Sequence, residues 1–77
     1  MFDIHYSEDI IRGRNNLGSR HIIKGLTEDV LRENIDNMNK MYGKAKNYGG
    51  FLVWSRENDS YSFSIYKDGK PFNLTKI

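Results

Sequence analysis

The hydrophobic period of this chain changes at Gly49-Gly50, and that change limits what it can fold into. Before the two glycines, Leu31, Ile35, Met38, Tyr42 and Ala45 recur at intervals of four and three, which gathers them into one stripe on a helix. After them, apolar and polar residues alternate, which is the period of a strand with one buried face. One amphipathic helix and several short strands can bury both apolar surfaces only by stacking. The expected fold is therefore α+β: one helix packed on a small antiparallel sheet, made of a C-terminal three-stranded meander joined by an N-terminal strand.

The helix is expected from Thr27 to Tyr48. Thr27 can cap the free amides of the first turn, Leu26 can pack on Leu31, and Glu28 and Asp29 oppose the positive end of the helix dipole. Lys44 and Lys46 suit its negative end. Gly43 is an alternative stop, since glycine inside a helix costs about 1 kcal/mol, but the stripe reaching Ala45 favours the later stop at Gly49-Gly50.

Strands are expected at residues 51–56, 61–67 and 70–75. Asp68-Gly69 reads as a two-residue hairpin turn, because both residues tolerate positive φ, and counting outward aligns Ile65 with Phe72 and Phe63 with Leu74. A turn within 57–60 then sets Trp54 against Phe63 and Leu52 against Ile65. The expected core is Leu31, Ile35, Met38, Trp54, Phe63, Ile65, Phe72 and Leu74, with Leu52 on the same sheet face. Phe51, Val53 and Tyr66 fall on the opposite face among serines, where a partner or a second copy could cover them.

Nearer the start, Phe2, Ile4 and Tyr6 alternate with Asp3, His5 and Ser7 as in a strand that could join the meander. From Ile10 to Leu26, two isoleucine pairs flank RGRNNLGSR, whose glycines and asparagines read as a loop at the tip of a possible hairpin.

The 77 residues are expected to form a single domain that buries only about 60% of its unfolded surface. With no cysteine and no Cys/His cluster to staple it, self-association is a natural way to gain stability, so a homodimer is possible. A cysteine-free chain suits a reducing compartment. No apolar run approaches the roughly 20 residues of a membrane span, and MFDIHYSEDI does not resemble a signal peptide, so the expected location is the cytoplasm.

The net charge of +2 is small, yet the charges come in blocks. Asp3, Glu8 and Asp9 give the first nine residues −3; Arg12, Arg14, Arg20 and Lys24 give residues 10–27 +4. Arginine forks fit carboxylate and phosphate alike, so Arg12, Arg14, Arg20 and Lys24 are candidate contacts for either kind of partner. Gly13 to Ser19 has part of a phosphate-loop spacing without its lysine, which argues against an NTPase. His5 and His21 are too few for a histidine metal site, and only if the two rings met could they carry acid-base cleavage of RNA.

No catalytic set, metal site or cofactor motif emerges from these residues. The expected function is a small non-enzymatic binding protein, an accessory or inhibitor-type interaction module of the kind found in viruses and mobile elements. Its expected partner is a protein, contacted through Arg12, Arg14, Arg20, Lys24, Phe51, Val53 and Tyr66. A nucleic-acid-binding module using the basic 12–24 segment is the alternative, and a small ribonuclease the third.

Overall fold

Alternating side chains along five antiparallel pairings build one sheet, against which a single helix lies. The computed structural model describes the backbone of residues 1–12 and 15–73 and the side chains of residues 1–9 and 18–73. The strands are β1 (Phe2–Arg12), β2 (Asn15–Leu26), β3 (Lys46–Tyr48), β4 (Phe51–Arg56), β5 (Asp59–Lys67) and β6 (Lys70–Pro71), with helix α1 (Glu28–Tyr42) between β2 and β3. Their spatial order is β2-β1-β5-β4-β3, and β6 pairs with the end of β5. The fold is α+β, as the change of period implies.

The middle strand β5 shows why the sheet forms. Tyr61, Phe63 and Ile65 are buried on one face, while Ser60, Ser62, Ser64 and Tyr66 alternate onto the other. Its neighbours match it: Ile4 lies opposite Ile65 and Tyr6 opposite Phe63 on β1, while Leu52 lies opposite Phe63 and Trp54 opposite Tyr61 on β4. Over this face α1 lays Leu31, Ile35 and Met38, all buried. Its first turn is closed by the Thr27 hydroxyl, which accepts from the Val30 N–H at 3.3 Å. Phe63 meets both Trp54 and Tyr6 edge to face, at ring-centre distances of 4.8 and 5.6 Å.

The helix is shorter than its stripe implies. It ends at Tyr42, and Gly43 (φ 87°) closes it by donating its N–H to the Asn39 carbonyl at 2.8 Å. Ala45 still packs against the core, but from an extended segment; the Asn39 side-chain oxygen accepts its N–H at 3.2 Å. That is why the stripe ran past the real end. Residues Lys46–Tyr48, expected in the helix, form β3 instead.

The β4–β5 turn also differs. Arg56 pairs with Asp59, so the turn is Glu57-Asn58, with Glu57 at φ 54°. The pairing is displaced by two residues from the expected one: Leu52 faces Phe63 and Trp54 faces Tyr61. A shift of two keeps every side chain on its face, so the core survives and gains Tyr61. At Asp68-Gly69 both residues have positive φ, and Phe72 donates to the Ile65 carbonyl at 2.9 Å, in the expected alignment. The regular strand nevertheless stops at Pro71, Phe72 is only partly buried, and Leu74 lies outside the described residues.

The largest difference is near the start. The segment read as a loop is mostly strand: β1 continues to Arg12, β2 resumes at Asn15, and those two residues pair. Strand β1 lies between β2 and β5, so the expected N-terminal strand is internal to the sheet. At the other end of β2 the pairs Phe2–Leu26 and Ile4–Ile23 leave Lys24 and Gly25 opposite Asp3 alone. This is a bulge with Gly25 at φ 71°, and Asp3 accepts its N–H at 3.1 Å. The acidic and basic blocks of the sequence thus become neighbouring strands.

Candidate functional site

The sheet has two faces and α1 covers one. On the other, the pairings line up Ile22, His5, Ser64, Phe51 and Tyr48, one each from β2, β1, β5, β4 and β3. At about 4.8 Å between strands this row is about 19 Å long. The adjacent row is Arg20, Ser7, Ser62, Val53 and Lys46. Tyr66 stands beside the first row with its ring 4.3 Å from that of His5. Ile22, Phe51 and Tyr48 are 55%, 42% and 63% exposed, which is unusual for three large apolar or aromatic residues sharing one row.

Local structure explains how this row is held. Period-two alternation leaves Phe51 and Val53 opposite the buried Leu52 and Trp54, and His5 opposite Ile4 and Tyr6. Tyr48 joins because Gly49-Gly50 turns the chain back sharply, a turn secured by the Gly50 N–H donating to the Asn47 side chain at 2.8 Å.

Of the residues expected to meet a partner, Phe51, Val53, Tyr66 and Arg20 share this open face, with Val53 and Tyr66 half-buried between their neighbours. Lys24 is set apart at the bulge. Arg12 ends β1, its side chain and the whole of Arg14 lying outside the described residues. The basic segment is therefore not one contact unit. Sequence reasoning missed Ile22, His5 and Tyr48 as members of the face. Alternation already placed His5 away from Phe2, Ile4 and Tyr6, but Ile22 stood in an isoleucine pair whose two side chains no alternation assigns to a face, and Tyr48 was hidden by the overlong helix.

The histidines do not meet. His5 lies against Tyr66 on the open face, while His21, paired with Tyr6, lies on the helix face with its ring 6.1 Å from that of Tyr6. The acid-base pair that RNA cleavage would need is not formed by these two rings. Among the described residues no group of three His, Cys, Asp or Glu side chains is placed to hold a metal ion, and no helix is long and apolar enough to cross a membrane.

Away from the open face, the N-terminal amine 2.9 Å from Asp68 lowers that carboxyl, and two phenols on the helix side are raised. Burial, followed by the Glu8 carboxylate that accepts the Tyr6 hydroxyl at 3.1 Å, pushes the Tyr6 phenol far up. The Tyr61 phenol is pushed up to about 12, first by its interaction with the Tyr42 hydroxyl and then by burial. The rings of Tyr42 and Tyr61 stack at 4.4 Å. In the unfolded chain Tyr61 releases its proton near 10.0, before the folded form does, so stability should fall as pH rises from 10 towards 12. Urea midpoints between pH 9 and 12 should therefore decline less steeply for Tyr61→Phe than for the parent; parallel declines would show that Tyr61 is not a source of the loss.

Comparison with family models, with curated proteins and with solved structures finds no match for this chain.

Proposed function

We propose that this is a non-catalytic protein-binding domain of the accessory or inhibitor kind, and that the open sheet face is its contact surface. The observation that carries the reading is the row of Ile22, His5, Phe51 and Tyr48 around Ser64, left uncovered by the helix that buries the other face. Tyrosine, phenylalanine and serine on rigid strands give a large contact area for little lost side-chain entropy, as in antibody combining sites. The face is not a one-sign field: Arg20 and Lys46 share it with Asp3 and Asp9. A phosphate backbone favours a clear excess of positive charge, whereas a protein interface has an aromatic centre and a mixed polar rim. A cytoplasmic setting suits a chain without cysteine.

The test is capture from a nuclease-treated lysate of the native host by the parent and by Tyr48→Ser with Phe51→Ser. Both side chains are exposed, so the double variant should melt within a few degrees of the parent while capture falls at least tenfold, about 1.4 kcal/mol. Capture should change little between 50 and 200 mM salt. A steep fall over that range, or loss of capture on nuclease treatment, would point to nucleic acid bound on the same rings and to Arg20 and Lys46. Light scattering separates either result from a homodimer formed through this face.

A further inference from the structure

The strand at one end of the sheet, β2, is 12 residues long, whereas β3 at the other end has three. Along an edge strand alternate residues turn their N–H and C=O groups outward, ready to pair with an added strand. The Gly25 bulge interrupts only the last part of β2. A long regular edge of this kind is an aggregation hazard unless it is covered or charged.

Two further features lie along that edge. On the helix side, α1 leaves a cleft of about 220 Å³ bordered by Tyr6, Ile23, Asn34, Asn37, Met38 and Met41. Ile23 and Met41 are 37% and 56% exposed. Val30, Asn34, Asn37 and Met41 follow one another at helical intervals of four and three, so the stripe of α1 beside the cleft carries no charge. On the other side of β2 stands Ile22. The second feature is charge: from Asn15 to Leu26 there are Arg20 and Lys24 and no acid, and neither cation is ion-paired among the described residues.

We infer that the free edge of β2, together with the cleft between β2 and α1, docks an extended acidic segment of a partner protein as an added strand. Main-chain hydrogen bonds to β2 hold the segment. Its alternate side chains drop into the cleft beside Ile23 and Met41 or onto Ile22, and its carboxylates reach Arg20 and Lys24. The charge pattern selects this occupant over a second copy, because pairing β2 with itself sets two basic strands side by side with no acid between them. The surface shares Ile22 and Arg20 with the open face but not Phe51, Tyr48 or Tyr66, and Met41 lies on the helix side, so Met41→Lys tests it apart from the open-face reading.

The experiment pans a display library of random peptides, about 12 residues long to match β2, on the immobilised full chain, then measures a synthesised consensus peptide by calorimetry and amide NMR. The selected pool should be rich in Asp and Glu alternating with apolar residues. The consensus peptide should shift amides of residues 18–23 and protect some of them from hydrogen exchange. Met41→Lys should weaken it at least tenfold, and Arg20→Glu with Lys24→Glu should turn a fresh selection towards Lys and Arg. All three side chains are exposed, so thermal melts should stay near the parent's. The inference is overturned by a failure to enrich any peptide, by a pool without acidic excess, by selection indifferent to the charge reversal, or by shifts confined to residues 48–54 and 62–66. Concentration-dependent protection of β2 amides without peptide would overturn it as well, by making a second copy the occupant.

Discussion

Replacing Trp54 by Ala is expected to remove about a third or more of the domain's stability. The indole is 1% exposed, meets Phe63 edge to face at 4.8 Å, and donates its N–H to the Asn39 side-chain oxygen at 2.8 Å. That same oxygen takes the Ala45 N–H, so Trp54 links sheet, helix and the segment leading to β3. Truncating a buried tryptophan costs about 3–5 kcal/mol, while a domain of 77 residues has about 4–12 kcal/mol in total. Trp54→Phe keeps most of the buried ring and loses the hydrogen bond, and should cost about 1–2 kcal/mol. Urea unfolding followed by far-UV circular dichroism ranks the three proteins. A Trp54→Ala chain that unfolds at nearly the parental midpoint would mean that the indole is not the centre of the core.

Among the described glycines, Gly50→Ala should be the most damaging substitution. Gly50 has φ 97°, and a Cβ there would stand 2.5 Å from the Phe72 carbonyl oxygen and 2.9 Å from the Asn73 Cα. Both atoms are backbone, so relief requires moving the segment after β6 away from the β3–β4 turn. The expected cost is about 2–4 kcal/mol from the left-handed conformation and the clash together. Gly49→Ala is the control: φ is 66° but nothing lies within 4 Å of its Cβ, so only the conformational cost of about 1–2 kcal/mol applies. The difference between the two unfolding midpoints measures the contact with Phe72. Equal midpoints would show that the segment after Pro71 does not rest on Gly50.

These two positions mark what was legible in the linear pattern. Trp54 belongs to the core on any register that keeps its face, and period-two alternation alone puts it there. Gly49-Gly50 reads as a helix terminator from composition. Its actual place is a hairpin between two strands, and the need for glycine comes from Phe72, some 20 residues away. The open face was legible only through Phe51, Val53 and Tyr66, which lie on strands with clean alternation. Ile22 was missed because it adjoins Ile23, and only the pairing with β1 shows that Ile23 joins Ile4 on the helix face while Ile22 joins His5 on the open one.

By itself the sequence determined which residues are apolar on a helical or strand period, where the capping and turn residues fall, and hence an α+β domain with one helix on one antiparallel sheet. These are local properties, set by backbone geometry and by side chains a few residues apart. Tertiary structure decided the rest: that β1 lies inside the sheet between β2 and β5, that the helix stops at Tyr42 while Ala45 still reaches the core, and that β4 pairs with β5 two residues from the expected register. It also decided that Ile22, His5, Phe51 and Tyr48 share a row and that β2 is left with a free edge. Each of these depends on which distant strands become neighbours. That choice is made by the summed burial of Ile4, Phe63, Ile65 and Trp54 under one helix, a long-range free energy that no window of local sequence contains.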